Sequence, residues 1–337
     1  MHLFKIIFIP LFILFFLNFS FATTLEEIKE RDFLICGVSE PTTGFADFDD
    51  ESNWKGFDVD MCRALSSAIF ADPNKVEFKS TTNRSRFPLL SSGEIDVLSR
   101  ITTWTFSRDV NLGFEYAGIN FYDGLGFMID SSLLITSANE LDGVSICTIN
   151  GSAFEFYIDQ YFNNKNISYE KIPVELDDEA FENFLSGRCD IYTNYITSLA
   201  EKRLSLPNSS KFEILPELIS KEPLGVLVRH GDDQWKDVVS WTLKVMILAE
   251  ELNINSKNID SFLLSEDNEI LRLLGEIGSY GDMIELDEKW AYNIIKQIGN
   301  YEEVFDRNLG KNSSLNLKRG LNKLYNEGGL LYAPPFR

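Results

Sequence analysis

Three short apolar runs, residues 33–38, 76–79 and 95–98, alternate with two helical patterns at 58–70 and 84–91. Val59, Cys62, Leu65 and Ile69 recur at helical spacing in the first pattern. Thr81, Thr82 and Asn83 supply cap material ahead of the second. A strand–helix–strand–helix–strand succession predicts a parallel sheet with right-handed crossovers. Ligands of open α/β sheets bind outside the carboxyl ends of such strands. The third run leads into Ser99, Arg100, Ile101, Thr102, Thr103, Trp104, Thr105, Phe106, Ser107 and Arg108. The spacing predicts a polar turn here. Its hydroxyls, its N–H groups and an arginine five residues after Thr103 make a receptor for a carboxylate, because a guanidinium fork grips both oxygens. A surface turn with incidental salt bridges uses the same residue types.

Residues 39–52 form a polar, acidic loop with Pro41 and Gly44, and Phe45 is its obvious stacking residue. Residues 114–129 are rich in aromatics and end in a strand at 125–129. A second strand–helix pattern follows: a strand at 144–149, a turn at Asn150, Gly151 and Ser152, and a helix at 153–163. A glycine–serine turn opening a helix presents free N–H groups and the positive dipole end, which suits an anion. A helix at 175–186, strands at 189–193 and 212–216, and a long amphipathic helix at 233–251 complete the pattern. Residues 252–337 read as further helix.

The 337 residues carry a formal net charge of −21. That field repels nucleic acid and anionic membrane surfaces, so no nucleic-acid partner is expected. A carboxylate site then needs local positive charge, which Arg84, Arg86, Arg100 and Arg108 cluster to provide. Residues 1–22 read as a secretory signal: Lys5 heads an apolar run at 6–17, and Ser20 and Ala22 are the small residues of a cleavage site. No cysteine follows that site, so a lipid anchor is not expected. With four cysteines, none in a C-x-x-C pair, and only His2 and His230, no metal and no cofactor are implied.

The stretch from Gly93 to Arg108 resembles the signature turn of periplasmic solute-binding proteins for amino acids, nearest the general L-amino-acid branch of bacterial extracellular solute-binding protein family 3, which serves ABC transporters. Other segments agree in order: Trp54 to Ala64 around Gly56-Phe57-Asp58-Val59-Asp60; Asn120 to Gly124; Ser220 to Gly225; Asp232 to Trp235; and Gly329 to Pro335. The resemblance spans nearly all of the chain beyond residue 22. It implies an α/β, type II periplasmic-binding-protein fold. Lobe 1 would hold residues 23–124 and 224–337, with a helical C-terminal extension; lobe 2 would hold 125–223. Two crossing segments would join them. It implies a periplasmic, monomeric receptor that captures an amino acid or related carboxylate and delivers it to an inner-membrane ABC permease, not an enzyme.

Carried over by resemblance, the α-carboxylate falls to Arg108, Thr103, the backbone at Ile101, and Gly151 with Ser152. Side-chain contacts fall near Ser39, Asn83 and Arg86. The family's ammonium-binding aspartate is replaced by Tyr195, with Asn194 beside it. A buried ammonium without a carboxylate is costly. Either Glu40 substitutes, or the ligand is not an ordinary α-amino acid. Given those lobes, Cys36 and Cys62 fall in one and Cys147 and Cys189 in the other. Two disulfides are expected in an oxidising compartment, with four free thiols as the alternative. An enzyme of the cyclohexadienyl-dehydratase type on the same fold is the alternative function.

Overall fold

The computed structural model describes residues 22–149 and 153–337; the expected signal segment falls outside them except for Ala22. Elements follow in order: α1 (Thr24–Arg31), β1 (Leu34–Ser39), the ribbon β2 (Asp47–Phe48) and β3 (Trp54–Lys55), α2 (Phe57–Phe70), β4 (Val76–Thr81), α3 (Arg86–Ser91), β5 (Val97–Thr103), α4 (Phe106–Asn111) and β6 (Phe114–Asp123). Then come β7 (Leu125–Asp130), β8 (Val144–Ile149), α5 (Ala153–Lys165), β9 (Tyr169–Val174), α6 (Asp177–Leu185), β10 (Ile191–Tyr195), α7 (Ile196–Leu204) and β11 (Phe212–Ile214). β12 (Glu222–Arg229), α8 (Asp233–Glu251), α9 (Asn268–Leu273), α10 (Trp290–Gln297) and α11 (Tyr301–Asn308) complete the set.

Two five-stranded sheets result, ordered β4-β1-β5-β12-β6 and β11-β7-β10-β8-β9. β4, β1 and β5 are parallel, as the alternation predicts. β12 joins antiparallel to both β5 and β6, so the sheet is mixed. The chain leaves along β6 and returns along β12, and strands on an outward and a return path run opposite ways. The return strand already pairs at Glu222 with Asp123 and at Pro223 with Tyr122. β9 is absent from the apolar pattern because it is an edge strand. Glu170, Lys171 and Pro173 are exposed and only Val174 is buried; edges tolerate such residues, a proline included.

The first lobe's core gathers α2, α8 and α10 under the sheet, with Trp235 and Tyr301 fully enclosed. The C-terminal extension is helical to Asn308 and irregular beyond it. Asn316 takes a positive φ of 46°, and Pro334 and Pro335 cannot continue a helix. The irregular stretch is nonetheless packed. Asn322 accepts from the Tyr122 amide (2.7 Å) and donates to its carbonyl (3.0 Å). Arg203 of α7 donates to the Leu315 carbonyl (2.8 Å), so the extension reaches the second lobe. The Leu315 side chain closes on Gly44, where a Cβ would lie 2.5 Å from its Cδ1 and φ is +82°. Phe336 packs on Trp241, Tyr280 and Trp290.

Cys36 of β1 is bonded to Cys62 of α2, and Cys147 of β8 to Cys189 just before β10, with Cα separations of 6.3 and 5.7 Å. Each bond ties a strand to a neighbouring element within one lobe. They close loops of 26 and 42 residues, for which chain entropy gives roughly 3.5 and 4 kcal/mol. Replacing both Cys147 and Cys189 by Ser should therefore lower the unfolding free energy by about 2–4 kcal/mol, read as a drop in denaturant midpoint. An unchanged midpoint would show that this bond does not constrain the unfolded chain.

Candidate functional site

The polar stretch after the third apolar run is a strand, not a turn: β5 continues to Thr103, and the turn follows it. It does so through a distortion. Ser99 faces Val226 and Thr103 faces Leu224, so two extra residues of β5 are accommodated between those pairs. At the centre of this bulge Ile101 adopts φ = +37°. A β-branched residue in that region is a backbone outlier, and such outliers cluster at binding sites. Opposite the bulge, Gly225 leaves no room for a side chain: a Cβ would lie 2.7 Å from the Gly118 carbonyl.

Three guanidinium groups surround the bulge. Arg100 lies within it, and donates from Nε to the Thr81 carbonyl (3.0 Å) and from Nη1 to Asn83 Oδ1 (3.1 Å). Arg86, at the start of α3, is buried; its Nη1 reaches Thr102 Oγ1 at 3.4 Å, and it lies over the Phe87 ring. Its Nε is enclosed without a partner. Arg108, on α4, donates to the Thr103 carbonyl (2.8 Å), which also accepts from the Tyr116 hydroxyl (2.7 Å). None of the three forms an ion pair among the described residues; their partners are neutral oxygens. Burial, followed by the fields of Arg100 and Arg108, lowers Arg86 to about 10. Burial also lowers Arg100, against the opposing fields of Asp58 and Glu40. The charge stored here is positive and has no ion-pair partner among the described residues, although Asp58 and Glu40 act on Arg100 from a distance.

A cavity of about 210 Å³ opens beside the bulge, walled by Ile101 and Thr103 on one side and by Thr42, Thr43 and Phe45 of the first loop. From the second lobe, Tyr195, Thr197, Ser198 and Glu201 close it, and at the crossing Asp123, Glu222 and Leu224 form its floor. Asp123 accepts from the Thr197 hydroxyl (2.7 Å) and the Gly124 amide (2.8 Å). Burial raises it to about 6, with Glu222 adding to the rise and the two donors opposing it. Glu222 is half-buried, and among the described residues its side-chain carboxylate makes no hydrogen bond or ion pair. The cavity lining thus carries the carboxylates Asp123, Glu201 and Glu222, while the arginines sit around the bulge that forms one of its walls.

Among the residues the sequence singles out, Ile101, Thr103, Phe45 and Tyr195 line this cavity, while Arg108 and Arg86 stand behind its wall. Phe45 is only 1% exposed, its ring edge-on to Phe57 and Phe121 in the core. Tyr195 caps α7, packs edge-on to Phe154, and is raised by burial and then by Glu222 and Asp123. Asn194 is turned into a network with Asp177 and the Tyr192 hydroxyl. Asn83 is exposed and orients Arg100. Ser39 is buried and donates to Thr42, and Glu40 is exposed with its carbonyl bound by the Thr42 hydroxyl. Gly151 and Ser152 lie outside the described residues.

The sequence reasoning misses Asp58, Asp123 and Glu222. Asp58 sits in the first turn of α2, where an acidic residue is ordinary. Asp123 and Glu222 precede a glycine and a proline in crossing segments, and only their register opposite each other marks them as a pair.

Similar proteins bear on this geometry. The chain is 47% identical over 318 residues to the general L-amino acid-binding periplasmic protein AapJ of Rhizobium johnstonii, covering 94% of this chain and 93% of that one. It is 45% identical over 317 residues to the glutamate/glutamine/aspartate/asparagine-binding protein BztA of Rhodobacter capsulatus, covering 94% of each. An ABC transporter periplasmic binding protein from Brucella ovis, solved with glutathione bound, superposes with a TM-score of 0.77 at 47% identity, over 94% of this chain and all of that one. These names describe binding proteins and give the dehydratase alternative no support. Residues 34–259 match the bacterial extracellular solute-binding proteins, family 3, and the chain belongs to that family.

Proposed function

We propose that this protein is the periplasmic receptor of an ABC transporter, capturing an L-amino acid with an acidic or amide side chain, or a γ-glutamyl peptide carrying the same group, and releasing it unchanged to an inner-membrane permease. Residues 1–22 direct export, and the receptor acts as a monomer. Lobe 1, residues 23–124 and 224–337, and lobe 2, residues 125–223, close on the ligand by bending at the two crossings.

The observation that carries this reading is the set of three unpaired guanidinium groups around the bulge, in a chain of formal charge −21. Leaving such charge partly buried without a counterion is costly unless a ligand supplies one. Arg108, with Thr103 and the expected contacts Gly151 and Ser152, takes the α-carboxylate. Arg86 meets the side-chain carboxyl or carboxamide. Glu222, backed by Asp123 and facing Tyr195, takes the ammonium in place of the family's aspartate, and exposed Glu40 does not line the cavity. Glutamate, glutamine and glutathione share this α-amino carboxylate group, which fits the names of the relatives. Among the described residues no helix is long and apolar enough to cross a membrane.

Calorimetry of the mature chain against L-glutamate, L-glutamine, glutathione and L-arginine tests the reading. Binding of the first three in preference to L-arginine is expected, and binding of none overturns it. Arg108→Ala should weaken binding by roughly 2–5 kcal/mol, because it strands a desolvated carboxylate. Arg86→Met should separate affinity from stability. Affinity for L-glutamate should fall, while the melting temperature of the empty protein rises, since an unpaired buried charge is removed.

The carboxylate floor gives a pH test. Burial raises Asp123 to about 6, and an ammonium nearby favours its ionised form. Binding should therefore release protons near pH 6, and affinity should fall as the pH drops below it, by about tenfold at pH 5. Glu222→Gln should weaken L-glutamate more than its deaminated analogue. Equal losses for the two would show that no ammonium contacts this floor.

A further inference from the structure

The three arginines are placed by a single backbone distortion. Arg100 is inside the bulge, Arg86 reaches Thr102 Oγ1 (3.4 Å), and Arg108 holds the Thr103 carbonyl (2.8 Å). Thr102 Oγ1 donates to the Arg100 carbonyl (2.7 Å), which ties the distorted residues to one another. If Ile101 relaxed to ordinary strand geometry, the two extra residues would no longer be accommodated, and the path of the chain through Thr102 and Thr103, which Arg86 and Arg108 contact, would change.

Ile101 does not hold that conformation by preference. What holds it is Asp58, which is buried. One of its oxygens accepts from the Ile101 amide (3.1 Å); the other accepts from the Ser99 hydroxyl (2.9 Å) and the Asn120 side-chain amide (3.2 Å). The carboxylate thus grips β5 immediately before the bulge and at its apex, and braces both against β6. Asp58 is itself fixed: its amide donates to the Phe45 carbonyl (3.0 Å), and the Phe57 amide donates to that of Gly44 (2.8 Å). The acceptor, the bulge and the cavity's first loop form one rigid unit.

We propose that Asp58 is the positioning residue of the anion end of the cavity. Its carboxylate holds the left-handed bulge at Ile101, and the bulge aims Arg86, Arg100 and Arg108. Asp58 touches no ligand, and it works through backbone geometry. The inference rests on the reading of the cavity as a carboxylate receptor.

A double-mutant cycle separates this from a general structural role. Glycine adopts positive φ freely, so Ile101→Gly should keep the bulge without its anchor. Asp58→Ala should weaken L-glutamate binding by about tenfold when residue 101 is Ile and by less than about threefold when it is Gly. Ile101→Gly removes packing as well as strain, so its effect on the melting temperature should be less unfavourable in the wild type than in Asp58→Ala, where the strain is already released. Equal losses of affinity in the two backgrounds, with additive melting shifts, would overturn the proposal. If Asp58→Ala does not fold, Asp58→Asn enters the same cycle, since it keeps the volume and loses one acceptor oxygen. If the wild type binds neither L-glutamate nor glutathione, the carboxylate-receptor reading fails, and the melting shifts alone decide the role of Asp58.

Discussion

Like charges gathered away from water repel each other, and the protein tolerates this around residue 101. The three guanidinium groups there are spread over neutral oxygens: the Thr81 and Thr103 carbonyls, the Asn83 amide and the Thr102 hydroxyl. Each oxygen offers a lone pair and no charge, so the cluster is solvated without being neutralised. A carboxylate placed among them would offset part of that repulsion. The same groups wired to Asp or Glu would make a more stable and less useful structure, because an incoming anion would first have to displace the internal one.

The opposite end of the space inverts this arrangement. Asp123 and Glu222 face each other across β6 and β12 at the crossing between lobes, where Thr197 of the second lobe also donates. Residues from both sheets and from the crossing between them line the cavity. That geometry favours a zwitterion over a simple dicarboxylate, since the latter would press negative charge against the floor.

The parallel half of the first sheet is legible in the chain because periodicity marks it: β1, α2, β4 and β5 each carry an apolar repeat that only one face can bury. The lobe assignment carries the cysteine pairing with it. What fails is local. Nothing in the letters Arg-Ile-Thr-Thr announces a left-handed isoleucine, because β-branched residues are the least expected there, so the strand end reads as a turn. β9 hides because an edge strand needs no apolar run. Asp58 and Glu222 hide because their roles depend on partners 43 residues and about a hundred residues away, respectively. Of the residues expected from the sequence, Phe45, Ile101, Thr103 and Tyr195 line the cavity, and Arg108 donates to the Thr103 carbonyl in its wall.

Phe336 lies in the first lobe's core, against Trp241, Tyr280 and Trp290, and Leu315 closes on Gly44 of the loop that walls the cavity. The second sheet, by contrast, is built from one uninterrupted stretch, β7 to β11. Emergence of the chain from its N-terminus therefore imposes an order. The second lobe can complete itself while the first is still missing β12, α8 and everything after them. Until those residues arrive, β5 lacks its β12 neighbour and the Arg cluster stands in an unfinished sheet. The candidate site is completed late, once β12 and the elements after it have arrived.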